Sequence, residues 1–172
     1  MEVAVLRLVH IACGLFWAGG AVTVGFWVLP AVVAAGPAGG AVMRGVVVDR
    51  KLPQVMTVAG LLTVLAGLRL YQLKFSVPWV GTPEGLVLTL GGLLAIGGLI
   101  IGVGFQRPTS MRLADLAAQV AATGGPPTPA QAEQLAALQK RSVKLGKVLG
   151  WHLGVAALLM ASLRLVQALS SG

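Results

Sequence analysis

The chain has 172 residues, of which 13 are Lys or Arg, 5 are Asp or Glu and 56% are apolar, with a mean hydropathy of +0.88. Its charged share of 10% is far below the roughly one quarter carried by soluble domains, which excludes a soluble enzyme and a disordered chain. Its one cysteine, Cys13, excludes a disulfide scaffold.

The few charges are clustered. None lies between Arg7 and Arg44, Lys51 and Arg69, Glu84 and Arg107, or Lys147 and Arg164. A helix needs about 20 mostly apolar residues to cross the hydrocarbon core, so these gaps predict four spans. Runs such as Leu86–Val103 are apolar on every face and lack the alternation of a barrel strand. Helices alone satisfy such a backbone in lipid. The expected fold is an all-α, integral membrane four-helix bundle, a single domain over residues 1–172.

Span 1 is expected at about 5–33. It is too long for the core of a signal peptide, and Phe16, Trp17 and Phe26 stand where cleavage needs small residues, so it reads as retained. A loop, 34–50, carries Gly36, Pro37, Gly39 and Gly40. Span 2 opens at Pro53, a favoured first-turn residue, and runs to about 71. After a connector over 72–83, span 3 covers about 84–105 and stops at Arg107-Pro108.

The uncharged stretch 116–132 is broken by Gly124-Gly125-Pro126-Pro127 and is no span. Before the break, residues 111–122 read as a short amphipathic helix. After it, Thr128, Pro129 and Gln131 spell a capping box that opens one long helix to about 169. Span 4 is its last part, 147–169. A helical hairpin over about 108–146 therefore extends spans 3 and 4.

Orientation follows from Lys and Arg. Nine of them, from Arg44 to Lys51 and from Arg107 to Lys147, fall on the hairpin side, against Arg7, Arg69, Lys74 and Arg164 on the other. The hairpin should be cytoplasmic and both termini outside, in a bacterial-type inner membrane. Topology and contact with the bilayer account for the net charge of +8, and no nucleic-acid partner is implied. Small residues at four-residue spacing, Gly98 with Gly102, Gly146 with Gly150 and Gly154, and Gly14 with Ala18, predict close helix contacts. They fit a compact monomer, a homodimer or a partner membrane protein equally.

Ionisable residues within spans are the candidates for function. His10 begins a face that continues through Cys13, Gly14 and Trp17. An imidazole and a thiolate at that spacing suit copper, and the imidazole alone suits the iron of haem b. The opposing reading is a hydrogen-bonded core histidine beside a cysteine that acts as a small hydrophobe. His152, beside Trp151, is a second candidate ligand or an interfacial anchor. The antiparallel course of spans 1 and 4 sets it well away from His10 in depth. Met160 is nearer the level of His10 and is a possible thioether ligand, or core filler. Arg69 and Arg164, near the outer ends of spans 2 and 4, could bind an anion such as a haem propionate, or snorkel to the headgroups. No carboxylate sits deep in a span, and triad, phosphate-loop and CxxC motifs are absent. Catalysis is therefore not expected of the chain's own residues.

The segment Val9-His10-Ile11-Ala12-Cys13-Gly14-Leu15-Phe16-Trp17-Ala18-Gly19-Gly20 resembles the "LH…WxGG" opening of the copper-resistance D (CopD) family, with Val9 in place of Leu. Leu52-Pro53 before Leu61–Gly67 and the basic ends of spans 3 and 4 look like the same pattern. The resemblance implies membrane copper handling and carries over His10 alone as a site residue. Small membrane proteins of the HemJ type open with a similar histidine, which implies a haem-linked redox role instead. A non-catalytic membrane subunit or assembly factor that docks a partner through the hairpin is the alternative of another class.

Overall fold

A computed structural model describes residues 1–170, apart from the side chains of Arg164 and Ser170. Among the described residues the fold is all-helical, and four helices are long and apolar enough to cross a membrane. These are α1 (Glu2–Ala34), α3 (Leu52–Lys74), α5 (Pro83–Ala122) and α6 (Pro129–Ala161). Shorter helices α2 (Gly36–Arg44), α4 (Val77–Val80) and α7 (Leu163–Ser170) complete the order.

The four long helices form a ring in which α1 packs on α3 and α6, and α5 packs on α6 and, more lightly, on α3. Trp17, Ala21, Ala59, Ala95, Leu149, Leu153 and Ala156 form the core. Only three of the seven are large; the rest are alanines that bring the helices close. Leu8, Leu15, Leu65, Leu93 and Leu158 point outward, 60–71 % exposed. This inverted distribution, with small residues inside and leucines outside, makes an apolar belt that water does not favour.

The glycine spacing is used within the chain. Gly146 lies against Leu29 and the backbone of Gly25, Gly150 against Phe26 and Ala21, and Gly154 against Val22. One face of α6 thus packs on α1, while Gly98 of α5 takes Leu153 of α6.

Four segments differ from the sequence expectation. The loop expected over 34–50 is mostly helical: Gly36, at φ +57°, turns the corner, and Gly39 lets α2 fold back onto the Val32 carbonyl. Only glycine takes both that corner and that approach without strain. The connector contains α4, opened by the Ser76 hydroxyl, which accepts from Trp79 N–H. Span 4 is interrupted at Ser162 before α7. The fourth difference is the largest: α5 does not stop at Arg107-Pro108 but continues to Ala122.

Proline is accommodated there by a wider turn. Residues Gly102–Gln106 form a π-helical segment in which Arg107 N–H bonds to the Gly102 carbonyl. A proline ring clashes with the carbonyl four residues before it, and a wider turn relieves that clash. The same device recurs in α1, where the π-helical segment Val24–Val28 precedes Pro30. A third such segment, Gly45–Asp49, follows α2 and leads to Pro53 through Lys51, whose φ of 53° makes the corner. The hairpin joins α5 to α6 through Gly124 at φ +65°, and Thr128 with Gln131 forms the expected capping box.

Candidate functional site: a cavity between three widened turns

The three π-helical segments meet around one cavity of about 310 Å³, at the hairpin end of the bundle. Val24, Gly25 and Val28 line it from the first segment, and Val46 and Val47 from the second. Gly102, Val103 and Gln106 line it from the third. Trp17 and Leu99 reach its inner end, while Arg107 and Ser110 stand at the hairpin end. From Leu99 to Arg107 is eight residues of one helix, so the cavity extends about 12 Å along the bundle. Single wide turns of this kind concentrate at functional sites, because they open room and redirect side chains inside an otherwise regular helix.

Its walls are apolar except for Thr57, whose hydroxyl donates to the Pro53 carbonyl, and for the Arg107 end. Gln106 donates from Nε2 to the hydroxyls of Ser142 (3.2 Å) and Ser110 (3.4 Å). Those bonds orient the amide, and its Oε1 is buried with no partner. The Nε of Arg107 is buried and unpartnered as well. An orphaned donor on a permanent cation and an orphaned acceptor thus sit on consecutive residues. Unpartnered buried polar atoms are costly, and the two side chains that carry them line one end of the cavity.

The residues singled out in the sequence lie elsewhere. His10, on α1, rests its ring on Gly67 of α3, where a Cβ would come within 2.8 Å of the imidazole. Its Nδ1 is 2.7 Å from the Thr63 carbonyl. A carbonyl only accepts, so Nδ1 donates, and in the neutral imidazole Nε2 is the nitrogen with the free lone pair. Cys13 is a free thiol packed against the core, one turn further on. Met160 packs against Gly91, in the opposite pair of helices.

His152 donates from Nδ1 to the Val148 carbonyl of its own helix at 2.9 Å and lies beside Gly97. Gly25 faces Gly146 and Ala21 faces Gly150, so α1 and α6 run in antiparallel register. Continued outward, that register puts His10 opposite Ala161, nine residues or about 13 Å from His152. No group of three or more His, Cys, Asp or Glu among the described residues could hold a metal ion.

Arg69 is paired with Glu2, Nε to Oε1 at 2.8 Å, and Lys74 with Glu84 at 2.6 Å. The side chain of Arg164 lies outside the described residues.

Sequence reasoning passed over Gln106 and read Arg107 as a stop signal. The usable signal was proline: Pro30 and Pro108 sit in helical runs without ending them, and each demands a local widening.

No family model, curated protein or solved structure matches the chain.

Proposed function

We propose that the chain is a multi-pass inner-membrane protein that binds a small amphiphile in the cavity between its three wide turns, without transforming it. The observation that carries this is the coincidence of an apolar cavity with two orphaned polar atoms, Gln106 Oε1 and Arg107 Nε, at one end. Ligand sites are built this way, from mostly apolar walls and a few placed polar groups that set orientation. Its polar side chains are Thr57, Gln106, Arg107 and Ser110, and no His, Asp, Glu or Lys lines it to activate either hydroxyl. A binding subunit or carrier suits that inventory better than an enzyme. The charge asymmetry supports a cytoplasmic hairpin, with the Arg107 end of the cavity on that side and both termini outside.

The test uses Trp17, which lines the cavity and is 4 % exposed. With Trp27, Trp79 and Trp151 replaced by Phe, phospholipids with brominated chains should quench Trp17. Filling the cavity with Val46→Phe should relieve the quenching. Trp17 emission that ignores brominated chains, or quenching untouched by Val46→Phe, overturns the reading.

A second reading, in line with the CopD and HemJ resemblances, is metal handling or haem-linked redox exchange through His10. Its support is the Nδ1–H bond to Thr63, the second-sphere arrangement that ligating imidazoles use, with Nε2 left for a ligand. The purified protein, expressed with copper and haem supplied, distinguishes the possibilities. A Soret band lost in His10→Ala supports haem, and stoichiometric copper without that band supports copper. Neither signal sinks this reading and leaves the cavity reading untouched.

A further inference from the structure

We infer that the cavity selects an anionic phospholipid, taking one acyl chain between the wide turns while the head engages Arg107 and Gln106. The inference rests on the cavity being a ligand site and names its ligand class.

Depth is the first argument. The apolar walls run from the Trp17 and Leu99 level to Arg107, and Arg107 stands where the hydrophobic part of α5 gives way to the polar hairpin. A molecule that fills this space has its apolar part toward the bundle centre and its polar part at the membrane surface. That is the alignment a bilayer lipid already has, so binding requires no inversion.

Hydrogen-bonding chemistry is the second. Arg107 Nε–H needs an acceptor, and a guanidinium favours an oxyanion such as phosphate. Gln106 Oε1 needs a donor, because its Nε2 is already committed to Ser142 and Ser110. A head with a phosphate and a hydroxyl, as in phosphatidylglycerol, meets both. A choline head has no donor to offer the amide oxygen.

Charge is the third. Nine Lys or Arg lie on the hairpin side against three carboxylates, Asp49, Asp115 and Glu133. The other two carboxylates, Glu2 and Glu84, are at the opposite end and already paired. The Arg107 end therefore sits in a positive field that attracts an anionic head and gives a zwitterion little. The volume is the fourth: 310 Å³ is at the small end of ligand pockets, which suits the first part of one acyl chain and leaves its end and the second chain in the bilayer.

The experiment compares brominated-chain phosphatidylglycerol with brominated-chain phosphatidylcholine as quenchers of Trp17, in vesicles of unbrominated phosphatidylcholine, on the full-length single-Trp protein. Half-quenching is expected at an about tenfold lower mole fraction of the glycerol lipid, or about 1.4 kcal/mol. Arg107→Gln should bring the two lipids to parity, with Arg107→Lys between. The bromines are on the chain, so the signal reports an inserted tail and inorganic phosphate cannot mimic it. Equal quenching by both lipids, relieved by Val46→Phe, overturns the head-group assignment and leaves the cavity reading standing. A preference that survives Arg107→Gln also overturns it. No quenching by either lipid sinks both. The two-lipid comparison needs no variant at Arg107, so a misfolded Arg107→Gln protein does not spare the inference.

Discussion

Glycine positions differ sharply in what surrounds them. A Cβ on Gly25 would run into the Gly146 carbonyl, backbone that has no room to yield, whereas Gly92 faces open space. Gly25→Ala is therefore expected to lower stability by about 1–3 kcal/mol through overpacking. Gly92→Ala should be neutral or stabilising by up to about 1 kcal/mol, because alanine is the better helix former. Thermal unfolding in detergent checks both, and equal midpoints would contradict the register of α1 on α6. His10→Ala loses the hydrogen bond to Thr63 and the packing of the ring on Gly67, so a destabilisation of at least about 0.6 kcal/mol is expected in the same assay. The imidazole was legible in the sequence as a costly intramembrane group. Its partner was not, because a backbone carbonyl on α3 leaves no trace in residue identity.

At the scale of elements, the wide turns carry the consequence. Pro108 lacks the N–H that a regular turn needs, and the Gly102–Gln106 segment widens to accept it. Pro108→Ala should let the turn relax toward regular α-helix. Amide exchange between Val103 and Ala114 should slow, and Trp17 should become harder to quench by brominated chains. Unchanged exchange would mean that packing, not proline, holds the turn open. The helix of 33 residues that begins at Pro129 depends differently on local chemistry, through its capping box. Thr128→Ala should cost about 1 kcal/mol, read as faster exchange at the first turn of α6 with the membrane half unaffected. That cap was readable from Thr128, Pro129 and Gln131 alone, because its bonds span three residues. Proline was read as a stop, since nothing local says whether a neighbouring turn will widen.

Across the whole molecule, charge placement predicts topology. In a Cys13→Ser background, Gly125→Cys at the exposed hairpin tip should react with a membrane-impermeant maleimide only from the cytoplasmic side. Reaction from outside in intact cells would invert the proposed orientation. The sequence by itself determined the all-helical class, the four apolar segments and the hairpin break at Gly124–Pro127. Each is a matter of composition and short-range order: apolar length, cap chemistry and proline or glycine runs. The tertiary structure decided what those signals leave open. It spends the glycine faces within one chain, holds His10 about 13 Å in register from His152, and brings three wide turns from distant segments around one cavity. Gln106 and Arg107 become a site only there, because an orphaned donor and acceptor exist only relative to every neighbour that packing supplies or withholds.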